Sequence, residues 1–169
     1  MRYLIIDTNV PVMAAKSNFS EDIEKKCSEM CYEFISKLIT GKSKAVVALD
    51  VNWEILSEYR NNINLNGDRT IATEYLLWIL QNSQKMDWYP ITKTGHNTFR
   101  EFPTDPELKK FDPSDRKFVA LSRAHPKHPP IYDGSDTDWW IHRNALSSNG
   151  INVVFLCEEY VRAKAETKA

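Results

Sequence analysis

The residues best placed to do chemistry are acids that stand at the ends of apolar runs. Tyr3–Ile6 is short, apolar and partly β-branched, and it stops at Asp7-Thr8-Asn9. An acid that directly ends a buried strand needs a partner for its charge. Ala45–Leu49 is a similar run, and Glu54 and Glu58 follow it four residues apart on a helical stretch. Asp115 opens another helix after Pro113-Ser114, and Asp136 and Asp138 follow the Ile131–Asp133 run after a glycine. Each acid also has a plainer reading: a first-turn charge for Asp115, a helix cap for Asp136, a solvated helix charge for either glutamate. Carboxylates that converge repel and raise each other's pKa unless a cation sits between them. With no histidine or cysteine in the set, the oxygen ligands favour Mg2+ or Mn2+ over zinc. Such an ion lowers the pKa of a bound water and polarises a phosphoryl oxygen, which suits in-line hydrolysis of a phosphodiester.

The elements that must carry these acids alternate along the chain. The spacing of Ile23, Cys27, Met30, Cys31, Phe34, Ile35 and Leu38 predicts a helix over 21–40, with Ser20 as its cap and Gly41 as its stop. Further helices are predicted over 51–63, 70–80, 114–124 and 139–146, with a charged helix at the C-terminus. Besides the runs at 3–6 and 45–49, strands are predicted at 88–91, 131–133 and 152–156. The polar segment 92–113, with Pro103, Pro106 and Pro113, reads mostly as loop. Alternating strand and helix specify an α/β domain with a mostly parallel sheet and right-handed crossovers. The strands' carboxyl ends form the ligand-binding edge of such a sheet, and Asp7 and Asp136 fall there.

The 169 residues, 42% hydrophobic and 27% charged, fit one globular domain over 1–169. No apolar run approaches the ~20 residues of a membrane span, and Tyr3–Ile6 is too short for a signal peptide, so a cytoplasmic location is expected. The odd count of three cysteines does not read as a disulfide scaffold. Zinc held by Cys27 and Cys31 would lack further ligands nearby, which leaves small buried hydrophobes as their expected role. A net charge of −1 leaves attraction to phosphates to a local patch. Lys109, Lys110, Arg116, Lys117, Arg123 and Lys127 supply one, with His125 and His128 among them, unless they form only a solvated helix face and loop. Gly41-Lys42-Ser43 looks like the end of a P-loop, but Ser36 stands where its first glycine belongs.

Four stretches together resemble the PIN-domain nucleases. Tyr-Leu-Ile-Ile-Asp-Thr-Asn-Val at 3–10 is similar to that family's opening strand and first acid. Glu-Ile-Leu-Ser-Glu-Tyr-Arg at 54–60 resembles the helix bearing its second acid. Asp-Pro-Ser-Asp-Arg-Lys-Phe-Val-Ala-Leu-Ser at 112–122 resembles the third, and Ser-Asp-Thr-Asp-Trp at 135–139 the fourth. The motifs stand in the family's order and span 3–156, and the ordered set is what makes them specific.

The resemblance implies a three-layer α/β/α sandwich in which clustered acids bind Mg2+ or Mn2+. It implies endonucleolytic hydrolysis of RNA by a metal-activated water, with Asp7, Asp115 and Asp136 as ligands. Glu58 matches the Glu-Tyr-Arg form of the second motif, and Glu54 the shorter spacing of many toxin members. Asp138 is a further ligand or binds through water, and Thr8 or Asn9 supports the first acid. A nuclease of the same fold acting on DNA, and a non-catalytic module that binds nucleic acid or a partner protein, are the other readings. Many relatives form homodimers, and toxin members are sheltered by an antitoxin. The apolar Leu76-Leu77-Trp78-Ile79 run suits such an interface or a buried helix equally. Two features depart from the short toxin members: the insertion at 92–113, and Trp139-Trp140, which can stack on bases or pack in the core.

Overall fold

Leu4, Ile5 and Ile6 are apolar at successive positions because both faces of their strand are covered, and all three are fully buried. The computed structural model describes residues 1–168. In chain order the elements are β1 (Arg2–Ile6), α1 (Asn9–Ala14), α2 (Asp22–Ile39), β2 (Ala45–Asp50), α3 (Glu54–Asn62), α4 (Ile71–Gln81) and β3 (Asp87–Tyr89). There follow β4 (Lys93–Gly95), β5 (Thr98–Phe99), α5 (Arg116–Ala124), β6 (Ile131–Asp133), α6 (Thr137–Ile141), α7 (Arg143–Ser148), β7 (Val153–Phe155) and α8 (Glu158–Thr167). Five strands form one parallel sheet in the order β3-β2-β1-β6-β7. With helices on both faces, this is a three-layer α/β/α sandwich.

The strand order fixes where a ligand can bind. From β1 the chain first builds outward through β2 to β3, and then returns to place β6 and β7 on the other side. The carboxyl ends of β1 and β6 therefore flank the point where the winding reverses, where side chains leave a crevice. Asp7 follows β1 directly and Asp133 ends β6. Backbone bonds from Ile5 N to Pro130 O (2.9 Å) and from Asp7 N to Tyr132 O (3.1 Å) hold the two strands in register.

Several element ends differ from the sequence expectation, each for a local reason. Helix α3 begins at Glu54 rather than Val51, because the buried carboxylate of Asp50 accepts from both Glu54 N and Ile55 N at 2.9 Å. Trp53, in the left-handed region at φ 64°, makes the turn between them. Helix α2 begins at Asp22, and neither Ser20 nor any other side chain caps it; Gly41 (φ 75°) supplies the left-handed stop. The predicted helix over 139–146 is two helices, α6 and α7, that meet at His142. There the ring of His142 bonds the Asp138 carbonyl (3.0 Å), which its own backbone N–H also uses. The segment 92–113 is more than loop: β4 and β5 form an antiparallel hairpin, and Phe99, Leu108 and Phe111 are buried. Phe111 meets Trp139 edge-on at 5.0 Å, so the insertion docks on the helix that follows β6.

The cysteines also need correction. Cys27 on α2 and Cys157, the residue before α8, are joined in a disulfide 130 positions apart in sequence. Cys31 is a buried free thiol beside it, and burial pushes its pKa up to about 12. The odd cysteine count thus lends no support to a reducing compartment. No helix among the described residues is long and apolar enough to cross a membrane.

The cap on α3 gives a test of how local sequence sets the site's scaffold. Asp50→Ala removes the acceptor for two backbone donors and should cost about 1–2 kcal/mol in urea unfolding. Asp50→Asn, which keeps one acceptor oxygen, should lose less. A loss indistinguishable from zero would mean that packing alone holds α3.

Candidate metal centre

Three elements bring their acids to one point at the reversal of the sheet. Asp7, Glu58 and Asp115 each offer a carboxylate oxygen, and these oxygens lie within 4.8 Å of one another. They open onto a cleft of about 370 Å³ that Asp136, Asp112 and Asn62 also line. Asp7 and Asp115 are buried, while Glu58 and Asp136 are half-buried.

Each carboxylate is aimed by a named neighbour. Trp139 Nε1 donates to Asp7 Oδ2 at 2.7 Å, and Asn9 Nδ2 donates to the same oxygen. Asn9 also donates to Asp133 Oδ1 (2.9 Å), and its own Oδ1 accepts from Gly134 N (2.8 Å) and Ser135 N (3.0 Å). One side chain thus pins the turn after β6 to the end of β1. Glu58 is set by Thr8, whose hydroxyl donates to Oε2, and by Lys117, whose ammonium lies 2.6 Å from Oε1. Tyr59, the next residue on α3, donates its hydroxyl to Ile6 O at the end of β1 and so fixes the helix bearing Glu58. Asp115 stands at the end of the 3-10 turn Pro113–Asp115, capped by Asp112, whose carboxylate accepts from Ser114 N at 2.9 Å. Asp138 Oδ2 accepts from Asp112 N at 2.7 Å and holds that turn against α6.

The electrostatics of the cluster are those of acids without enough counter-charge. Burial, then the charges of Asp133, Asp136 and Glu58, raise the pKa of Asp7 well above the usual carboxylate range, and the Trp139 bond only partly offsets this. Burial followed by Asp7 and Asp136 pushes Asp115 up to about 11. Asp115 Oδ2 and Asp133 Oδ2 are buried without a hydrogen-bond partner among the described residues. A buried, unpartnered carboxylate oxygen is compatible with a cation ligand. The all-oxygen donor set suits Mg2+ or Mn2+.

The site sorts the candidates that sequence alone leaves open. Glu58 faces the cluster, whereas Glu54 turns away to pair with Lys93 at 2.9 Å. Asp136 lines the cleft while accepting from Asp138 N (2.9 Å), so it caps α6 and faces the acids at once. Asp138 lies outside the trio, engaged with Asp112 and with His142 at 3.2 Å. Thr8 supports Glu58 rather than Asp7. Trp139 is fully buried and donates to Asp7, while Trp140 packs edge-on against Phe155 (5.2 Å) beneath the Arg143 guanidinium; only Trp140 keeps some exposure.

The basic patch divides in the same way. Lys117 is buried inside the site; Arg116 bonds Lys109 O (3.1 Å) and lies over the Phe102 ring; Arg123 bonds Glu101 O (3.1 Å). Lys109 and Lys110 remain exposed on the segment that leads to Asp112. His125 is buried and paired with Asp87. Asp133, buried behind the cleft and bonded to Asn9, raises the pKa of Asp7 without lining the cleft, and the sequence reading does not single it out. The rule that marks Asp7, an acid ending a buried strand, marks Asp133 equally. No family model, no curated protein and no solved structure matches this chain.

Without a cation, the raised acids should make stability fall as pH rises. Asp115 ionises in the unfolded chain at about 3.9 but only at about 11 when folded, and Asp7 is raised in the same direction, so the folded state binds more protons across neutral pH. In EDTA the melting temperature should drop between about pH 5 and about pH 8, and Mn2+ should restore it at the higher pH. Asp115→Asn should flatten this slope. A melting temperature that ignores both pH and Mn2+ would show that the carboxylates are not coupled to folding.

Proposed function

We propose that this protein is a Mg2+- or Mn2+-dependent nuclease that hydrolyses phosphodiester bonds, with RNA as its substrate. The observation that carries this reading is the convergence of Asp7, Glu58 and Asp115, from β1, α3 and the turn before α5, with carboxylate oxygens within 4.8 Å at the floor of an open cleft. Asp136 is the fourth acid of the site. The order and spacing of the acids resemble those of PIN-domain nucleases, and RNA as the substrate class rests on that resemblance.

A bound divalent cation would supply Lewis acidity and a nucleophile at neutral pH. The chain's own residues supply orientation. Asn9 and Trp139 hold Asp7 from one side, and Thr8 and Lys117 hold both oxygens of Glu58. Because these donors are themselves packed, the carboxylates need no reorganisation when charge develops at phosphorus. Lys109 and Lys110, exposed just before Asp112, can contact backbone phosphates of a strand lying in the cleft. A net charge of −1 means that such binding depends on these few local cations, and it should weaken with salt.

The test is cleavage of labelled single-stranded RNA and of matching DNA in Mg2+, Mn2+ or EDTA, beside a folded Asp7→Asn variant. Cleavage of RNA that needs the cation and drops on the order of 10²-fold or more in the variant is expected. Cleavage of DNA alone would keep the chemistry and change the substrate. Failure to cleave either polymer or to bind Mn2+ would leave a non-catalytic module.

A further inference from the structure

Behind the acid site, on the far side of the Gly134 turn, lies a second convergence of metal-ligating side chains. Cys27 and Cys31 sit four residues apart on one face of α2, and Cys157 comes from the start of α8. Their three sulfurs lie within 4.8 Å of one another, and all three residues are buried. The disulfide accounts for Cys27 and Cys157. It does not account for Cys31, whose Sγ stands 3.8 Å from Cys157 Sγ. With metal–sulfur bonds of about 2.3 Å, a tetrahedral site spaces its sulfurs by roughly 3.8 Å; Cys31 and Cys157 already stand at that separation, while Cys27 and Cys157, bonded to each other, must part on reduction to reach it. A small groove of about 60 Å³, lined by Cys27, Cys157, Met30 and Tyr160 among others but not by Cys31, reaches the disulfide from the surface. An ion would enter by this groove, at Cys27 and Cys157.

We propose that Cys27, Cys31 and Cys157 form a thiolate site for Zn2+ or a similarly soft divalent cation, closed while the disulfide stands and opened by its reduction. A dithiol reductant donates two electrons and two protons. The Cys27–Cys157 bond breaks to give two thiols, and the reductant becomes its own disulfide. The cation then displaces one proton from each of the three thiols into solvent and forms three metal–sulfur bonds. Soft thiolates select this class of ion over the Mg2+ or Mn2+ suited to the carboxylates. In both states α2 stays fastened to the start of α8, by a covalent bond in one and through the ion in the other.

The experiment adds Cd2+ to the reduced and to the oxidised full-length protein, with Mg2+ in excess to fill oxygen sites. It reads the thiolate-to-cation absorption in the near ultraviolet, with circular dichroism to follow the fold. One equivalent should produce the band in the reduced protein and none in the oxidised protein. Cys31→Ser, which keeps the disulfide pair and so can fold when oxidised, should weaken reduced-state binding by at least the roughly 10-fold lost with an outer-sphere partner. No band from the reduced, folded protein overturns the proposal, and so does a band unchanged by Cys31→Ser. Loss of the fold on reduction that Cd2+ does not restore overturns it as well. Nuclease activity plays no part in the readout, so the outcome is independent of the carboxylate site.

Discussion

Burial of the Asp7 carboxylate at the end of the central strand is the constraint to which the surrounding structure answers. An ionised carboxylate withdrawn from water costs several kcal/mol even after relaxation, while a hydrogen bond to a charged group returns about 1.5–3 kcal/mol. Asp7 receives two side-chain donors, from Asn9 and Trp139, and both reach the same oxygen. Against them stand Asp133, Asp136 and Glu58, all raising its pKa. The donors fix where the group points but do not bring its pKa back to the usual carboxylate range. That combination, oriented but with a raised pKa, separates Asp7 from a structural acid such as Asp50, whose two oxygens are both spent on the start of α3.

The supporting residues make sense as consequences of that constraint. Lys117 is a lysine withdrawn from solvent, which is tolerable only because Glu58 and the Ser114 carbonyl both lie 2.6 Å from its ammonium. It neutralises one acid of the cluster and, among the described residues, leaves Asp7 and Asp115 without a cationic side chain bonded to them. Tyr59 ties α3 to Ile6 through its hydroxyl, and Tyr75 of α4 bonds Tyr59 in turn at 3.2 Å. The insertion at 92–113 carries Phe111 against Trp139, the tryptophan whose N–H holds Asp7. A segment that reads as a surface excursion thus buttresses the first acid.

What the sequence made legible follows from the range of the interactions involved. The sheet, its parallel sense and the edge where Asp7 and Asp136 fall come from hydrophobic periodicity and strand–helix alternation, both local signals. The choice between Glu54 and Glu58 does not, because four residues of helix leave both on one side. It is decided by Lys93 in the hairpin and Lys117 on α5, far along the chain. Lys117 is hidden for the same reason: in sequence it is one more cation of a basic helix, and its burial exists only once α3 and α5 meet. The disulfide joins residues 130 positions apart, and no spacing rule reaches that far. Asp133 carries the same local signal as Asp7, an acid that ends an apolar strand.

Gly134 shows how closely the carboxylate and sulfur clusters are built together. A Cβ there would come within 2.8 Å of Asn9 Oδ1 and 3.0 Å of Cys31 Sγ. The turn is a single layer of backbone with the acids on one side and the sulfurs on the other. Its amide donates to Asn9, and its carbonyl lies 3.8 Å from Cys27 Sγ. Interiors this tightly packed do not absorb displacement by compression, so motion of α2 or α8 at the sulfurs bears on Asn9, and through Asn9 on Asp7. The same layer that lets the β6 turn approach β1 closely enough to share Asn9 leaves no slack between the two clusters. The fastening of α2 to α8 is therefore part of what keeps the first acid in place.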